Sequence, residues 1–215
     1  MSLLSRLFGS KESAPRPGAM TLDDSLAKLE RAAEDAPAGY RGTPLNKAGD
    51  FALRGGEKQR AVVYYGRAID AFLKDEQREA ARGVANKLIR VHPEAVRTIR
   101  TLLWLDLGAR HMATAVMHLR DYIDGAIRVE MQSLAGDQLF AMARVAPQSE
   151  FLEAVADGLD ALDRADQARE VRGWTASGGS PDVIADDDLL ASACLQAAIQ
   201  SGAPRVAEDA KDAGD

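Results

Sequence analysis

Residues 61–72 read Ala-Val-Val-Tyr-Tyr-Gly-Arg-Ala-Ile-Asp-Ala-Phe, and this stretch decides the fold. Its apolar positions Ala61, Val62, Tyr65, Ala68, Ile69 and Phe72 fall at successive offsets of 1, 3, 3, 1 and 3, the stripe of an amphipathic helix. A strand would need alternation with period two, and no segment of the chain sustains it. Upstream, Gly55-Gly56 ends a helix opened by Thr43-Pro44, a capping hydroxyl followed by proline where its missing N–H costs nothing. Thr21 with Asp24 opens an earlier helix, carried by Leu22, Leu26 and Leu29 and stopped by Pro37 and Gly39.

Downstream the pattern recurs. Ala81, Val84, Ala85, Leu88 and Ile89 predict a helix ending before His92-Pro93, and Val96, Ile99, Leu102, Leu103 and Leu107 predict one stopped at Gly108. Met112, Val116, Leu119 and Ile123 mark a helix to about Asp124-Gly125, and a less regular one covers about 130–145 with Gly136 as its weak point. Phe151, Leu152, Val155, Ala156, Leu159 and Leu162 line the next, and a short helix follows over about 164–173. The expected class is all-α, with antiparallel hairpins stacked as a short solenoid. The domain reading is a flexible segment 1–20, a helical domain 21–174, a linker 175–185, a C-terminal helix 186–201 and an acidic disordered tail 202–215.

Composition agrees with this class. Of 215 residues 46% are hydrophobic and 28% charged, which excludes wholesale disorder, while 5% aromatics speak against a β-sandwich. A net charge of -6 argues against nucleic acid as a partner, because that binding rests on neutralising phosphates. The charge is uneven: +1 over residues 1–76, +4 over 77–128 and -11 over 129–215. A single cysteine, Cys194, forms no internal disulfide, and the start of the chain has no apolar run of signal-peptide length; both fit a cytoplasmic protein. Leu3, Leu4, Leu7 and Phe8, beside Arg6 and Lys11, read either as a frayed terminus or as a weak anchor, through residues 1–9, to a membrane or partner.

Small residues occupy the places where residues 43–72 would cross. Gly49 lies in the first helix, Gly56 in the turn, and Ala61, Tyr65 and Ala68 alternate small, aromatic and small along the second. Helices within about 8–10 Å leave no room for large side chains there. In this the segment resembles a tetratricopeptide repeat. Ala81, Ala85, Leu88 and Pro93 match the second half of another repeat, and Gly108-x4-Ala113 echoes Gly56-x4-Ala61. The likeness spans about 43–173, is most specific over 43–93, and has Asn46 where the family usually carries tryptophan.

The resemblance implies a groove that holds a peptide or helix on the face made by the first helix of each pair. Carried onto this chain, that face presents Thr43, Asn46, Asp50 and Arg54, then Arg78, Arg82, Asn86 and Arg90, then His111, His118 or Arg120. Asn46 and Asp50 depart from the pattern that clamps a chaperone's C-terminal carboxylate, so that partner is not expected. The Arg78, Arg82, Asn86, Arg90 stripe reads either as a solvated face or as a groove for an acidic segment. Asp186-Asp187-Asp188 supplies such a segment within the chain, unless those acids merely cap their own helix. Arg97, Arg100 and Trp104 share a neighbouring face, either as a packed seam or as a binding hot spot.

Catalytic, metal and cofactor sites are not expected. His111 and His118 stand two turns apart without further ligands, and Cys194 has no general base in its helix. Gly55-Gly56 and Gly178-Gly179 lack the lysine and hydroxyl residue of a phosphate-binding loop. The leading expectation is a non-enzymatic adaptor that binds a protein or peptide in a solenoid groove, with self-association open. The alternative is a structural subunit packed within a larger, membrane-associated or soluble assembly.

Overall fold

The computed structural model describes residues 20–200; the N-terminal segment and the acidic tail lie outside them. Within this range the chain is all-α, with ten helices. They are α1 (Leu22–Glu34), α2 (Gly42–Arg54), α3 (Lys58–Lys74), α4 (Arg78–Val91), α5 (Val96–Gly108), α6 (Met112–Arg128), α7 (Gln132–Val145), α8 (Ser149–Ala161), α9 (Ala165–Ser177) and α10 (Asp187–Gln200).

The start of α1 follows the sequence reading. The Thr21 hydroxyl accepts the Asp24 N–H at 3.1 Å, and the Asp24 carboxylate accepts the Thr21 N–H at 3.2 Å, a complete capping box. These hydrogen bonds hold the Asp24 carboxyl below its usual value. Helix α2 differs: it begins at Gly42, with Arg41 at the cap and no capping side chain, so Thr43 does not cap it. The reason is packing. A Cβ on Gly42 would lie 2.6 Å from the Phe72 ring, so the first turn of α2 already rests on α3.

One turn geometry recurs down the stack. Gly56, Glu76, Arg110, Glu130 and Asp163 each adopt positive φ directly after a helix. Each donates its N–H to the carbonyl three residues back, and the next residue donates to the carbonyl five residues back, as Arg110 to Leu107 and His111 to Asp106. Two such turns and then a proline form a unit: Gly56, Glu76, Pro93, followed by Arg110, Glu130, Pro147. Arg110 therefore occupies the place of Gly56, and Ala115, fully buried, that of Ala61; Ala113 is exposed. The echo read between Gly108-x4-Ala113 and Gly56-x4-Ala61 is two residues out of register, because a non-glycine residue takes the left-handed position.

Neighbouring helices pack against one another, most extensively α2 with α3, α3 with α4, α5 with α6, and α8 with α9; α4–α5 and α6–α7 are thinner. Gly125 and Gly136, inside helices, mark close crossings rather than breaks. Helix α6 runs through Gly125 to Arg128, and a Cβ at 125 would stand 2.9 Å from Val96 on α5. Gly136 is likewise buried within α7, against the Arg164 side chain.

The segment read as a linker is hydrogen-bonded along the end of α7. The buried Ser180 hydroxyl donates to the carbonyls of Ala143 and Ala146, and the N–H groups of Asp182 and Ile184 donate to Arg144 and Val145. Beyond this strap α10 lies on α5 and touches α3, burying Leu190, Cys194, Leu195 and Ala198. Its acids do not meet the Arg78–Arg90 stripe. Asp187 pairs with Arg110, which also donates to the Ala185 carbonyl.

Candidate interaction face

Side chains link the alternate helices α2, α4 and α6 into one face. Lys87 of α4 reaches Asn46 Oδ1 at 3.0 Å and both oxygens of Asp50 at 2.8 and 2.9 Å on α2. The Tyr65 hydroxyl donates to Asp50 from below at 2.8 Å, and Lys87 Nζ stands 5.8 Å from the Tyr65 ring centroid. Burial, and then the bond to Asp50, raise the Tyr65 phenol above its ordinary value. Asn46 and Asp50 are thus on the expected face but held by Lys87, a residue the sequence reading passed over. Arg54 is exposed and folds back, donating to the Asp50 carbonyl with its guanidinium over Phe51.

The next link is built on a buried carboxylate. Asp106 of α5 is 1% exposed and lies 2.8 Å from Nδ1 of the equally buried His118 on α6. Arg82 of α4 approaches Asp106 at 3.3 Å and contacts His111 and Glu79. An unpaired carboxylate at this depth would cost several kcal/mol, about 3–5 by analogy with broken buried pairs. Arg82 and the two histidines therefore belong to a structural knot. Asp106 looked unremarkable in the sequence because it is one polar residue in an apolar run.

The remaining expected residues divide. Asn86 donates to the Arg82 carbonyl at 3.1 Å, Arg90 is exposed, and half-buried Arg78 lines the seam where Ala191 of α10 meets Gly108. Arg97 is half-buried on α5. Arg100 and Trp104 are buried, at 3% and 4% exposure, so they present no surface to a partner. Arg100 bonds the Tyr122 hydroxyl, and Trp104 donates to Gln138 on α7 at 3.2 Å. Helix α5 is enclosed by α4, α6 and α10, which turns the arginine–tryptophan face into a seam.

The open part of the face lies between α6 and α8. A cleft of about 490 Å³ has an apolar floor in which Leu119, Ile123 and Gly158 are buried and Val116 and Ala154 half-buried. Its walls carry Asp124, Glu150, Glu153 and Asp157, with Arg120 as the one cation. Asp157 is bonded by Arg172 at 2.9 Å; Asp124, Glu150 and Glu153 have no ion-pair partner among the described residues. A larger cleft of about 690 Å³, between α1, α2 and α3, mixes Arg41, Arg67 and Lys74 with Glu34, Asp70 and Asp75. Burial pushes the Asp70 carboxyl there up to about 7, and its Oδ1 has no hydrogen-bond partner among the described residues.

No helix among the described residues is long and apolar enough to cross a membrane. No family model matches the chain, and neither a curated protein nor a solved structure matches it.

Proposed function

We propose that the chain is a non-enzymatic interaction scaffold that holds a partner's segment along the face of α2, α4, α6 and α8. The observation that supports this reading is the cleft between α6 and α8, whose three exposed carboxylates have no ion-pair partner among the described residues and whose floor leaves Val116 and Ala154 half-buried. Its walls are two formed helices, which lowers the ordering cost of receiving a segment. The likeness of residues 43–93 to a tetratricopeptide repeat supports the same use of alternate helices. The partner's sign, however, is the reverse of the one expected from the arginine stripe. Arg82 is spent on Asp106, whereas the open walls are acidic, so the scaffold suits a basic amphipathic segment rather than an acidic one.

The test is affinity capture with the full chain and with Glu150→Arg/Glu153→Arg, both exposed positions on α8. Proteins held by the chain and lost on this reversal support the reading. Identical capture by both versions places binding elsewhere.

A further inference from the structure

The acidic walls of the cleft between α6 and α8 are complemented in charge by the sequence of a piece of this same chain. Residues 1–11 contain no acid, and Leu3, Leu4, Leu7 and Phe8 would share one side of a helix, with Arg6 flanking them and Lys11 a turn further along the same side. Resting on the scaffold reading, we infer that the cleft takes the segment Leu3–Lys11 of a second copy, joining copies head to tail. The four apolar residues rest on the half-buried Val116 and Ala154, while Arg6 and Lys11 meet the exposed Glu150, Glu153 and Asp124. The lengths agree. Nine residues as a helix measure about 13 Å, and the wall of α8 from Glu150 to Ala161 measures about 17 Å.

A second copy is favoured over the chain's own segment by reach. The nine residues from Glu12 to Met20 span about 17 Å as a relaxed coil and reach about 30 Å only at full extension, so docking in the chain's own cleft would cost most of the linker's freedom. Helix α1 rests on α2, and the cleft lies beyond α2, α4 and α6, about 25–30 Å away at ordinary helix spacings. The donor and acceptor surfaces differ, so the contact is heterologous and grows into rings or open chains rather than a closed two-fold dimer.

Sedimentation of the full chain over a range of concentration, at low and high salt, tests this. The expected result is a mass above the monomer at low salt that falls at high salt, since exposed charges are screened. Leu4→Asp/Leu7→Asp and Glu150→Arg/Glu153→Arg should each be monomeric with unchanged helicity. Mixed together, these two variants should give dimers and nothing larger, because each keeps one intact half of the contact. A wild-type chain that stays monomeric, or a mixture that does not associate, overturns the inference. So does a Leu4→Asp/Leu7→Asp variant that loses binding to phosphatidylglycerol vesicles while sedimenting as wild type, which makes the segment a membrane anchor. Should cleft reversal abolish capture of other proteins while the N-terminal variant retains it and no copy associates, this inference falls and the scaffold reading stands.

Discussion

Gly108 of α5 faces Cys194 of α10 so closely that a Cβ on residue 108 would stand 2.8 Å from the cysteine Cβ and 3.2 Å from the Ala191 Cα. The C-terminal helix can lie on α5 only because this residue has no side chain. Burial pushes the Cys194 thiol up to about 12, so in the native protein it is both shielded and protonated. The sole cysteine is therefore a built-in reporter of α10. Gly108→Leu should lift the helix and speed labelling by a thiol reagent at least about tenfold, with α1–α9 still helical by circular dichroism. Equal labelling rates would place α10 elsewhere.

A second crossing fixes the first hairpin. A Cβ on Gly49 would lie 2.5 Å from the Tyr65 ring, and Ala61 is fully buried. Gly49→Leu or Ala61→Phe should cost about 1–3 kcal/mol by overpacking, read from urea denaturation midpoints.

These two crossings differ in how well the sequence announces them. Gly49 is legible because it sits in a small–aromatic–small pattern that links two adjacent helices. Gly108 reads only as a helix stop, since its neighbour Cys194 is far along the chain and α10 has no strong stripe of its own. The helix boundaries follow from the capping box at α1 and elsewhere from proline and apolar period, except where tertiary packing decides, as at Gly42 and Gly125, and at α9, which runs to Ser177 rather than about 173. Of the residues the sequence places on the candidate face, Asn46 and Asp50 do stand together on α2, whereas Arg100 and Trp104 are buried by helices the local pattern does not reveal. The acidic cleft was missed because its walls belong to α6 and α8, with α7 between them in sequence.

The knot at Asp106 makes a stability prediction. Asp106→Ala should cost about 3–5 kcal/mol, because it strands His118 and Arg82 beside an apolar core. Replacing the buried pair with Asp106→Leu/His118→Leu should recover most of that loss. Removing the exposed partner through Glu79→Ala should change stability by less than about 0.5 kcal/mol. Chemical denaturation of the four proteins checks all three statements.

Asp70 predicts a pH dependence. Its carboxyl rises from 3.8 to about 7 through burial, partly opposed by Lys74. The folded chain thus holds a proton that the unfolded chain releases. The associated stability is complete below pH of about 4 and is lost as pH rises through about 7. Asp70→Asn imitates the protonated group, so it should be more stable than wild type at pH 8, by about 2 kcal/mol, and flatter between these limits. Parallel pH profiles for the two proteins would contradict the assignment.

The central claim is that partners, including further copies of the chain, seat in the cleft between α6 and α8. Its most direct measurement is site-specific photo-crosslinking from Ala161, an exposed residue on the cleft wall, compared with Arg169, an exposed residue of α9 outside it. The account predicts crosslinked products from position 161 that disappear with Glu150→Arg/Glu153→Arg, and none from position 169. Equal crosslinking from both positions, or products at 161 that survive the charge reversal, would contradict it.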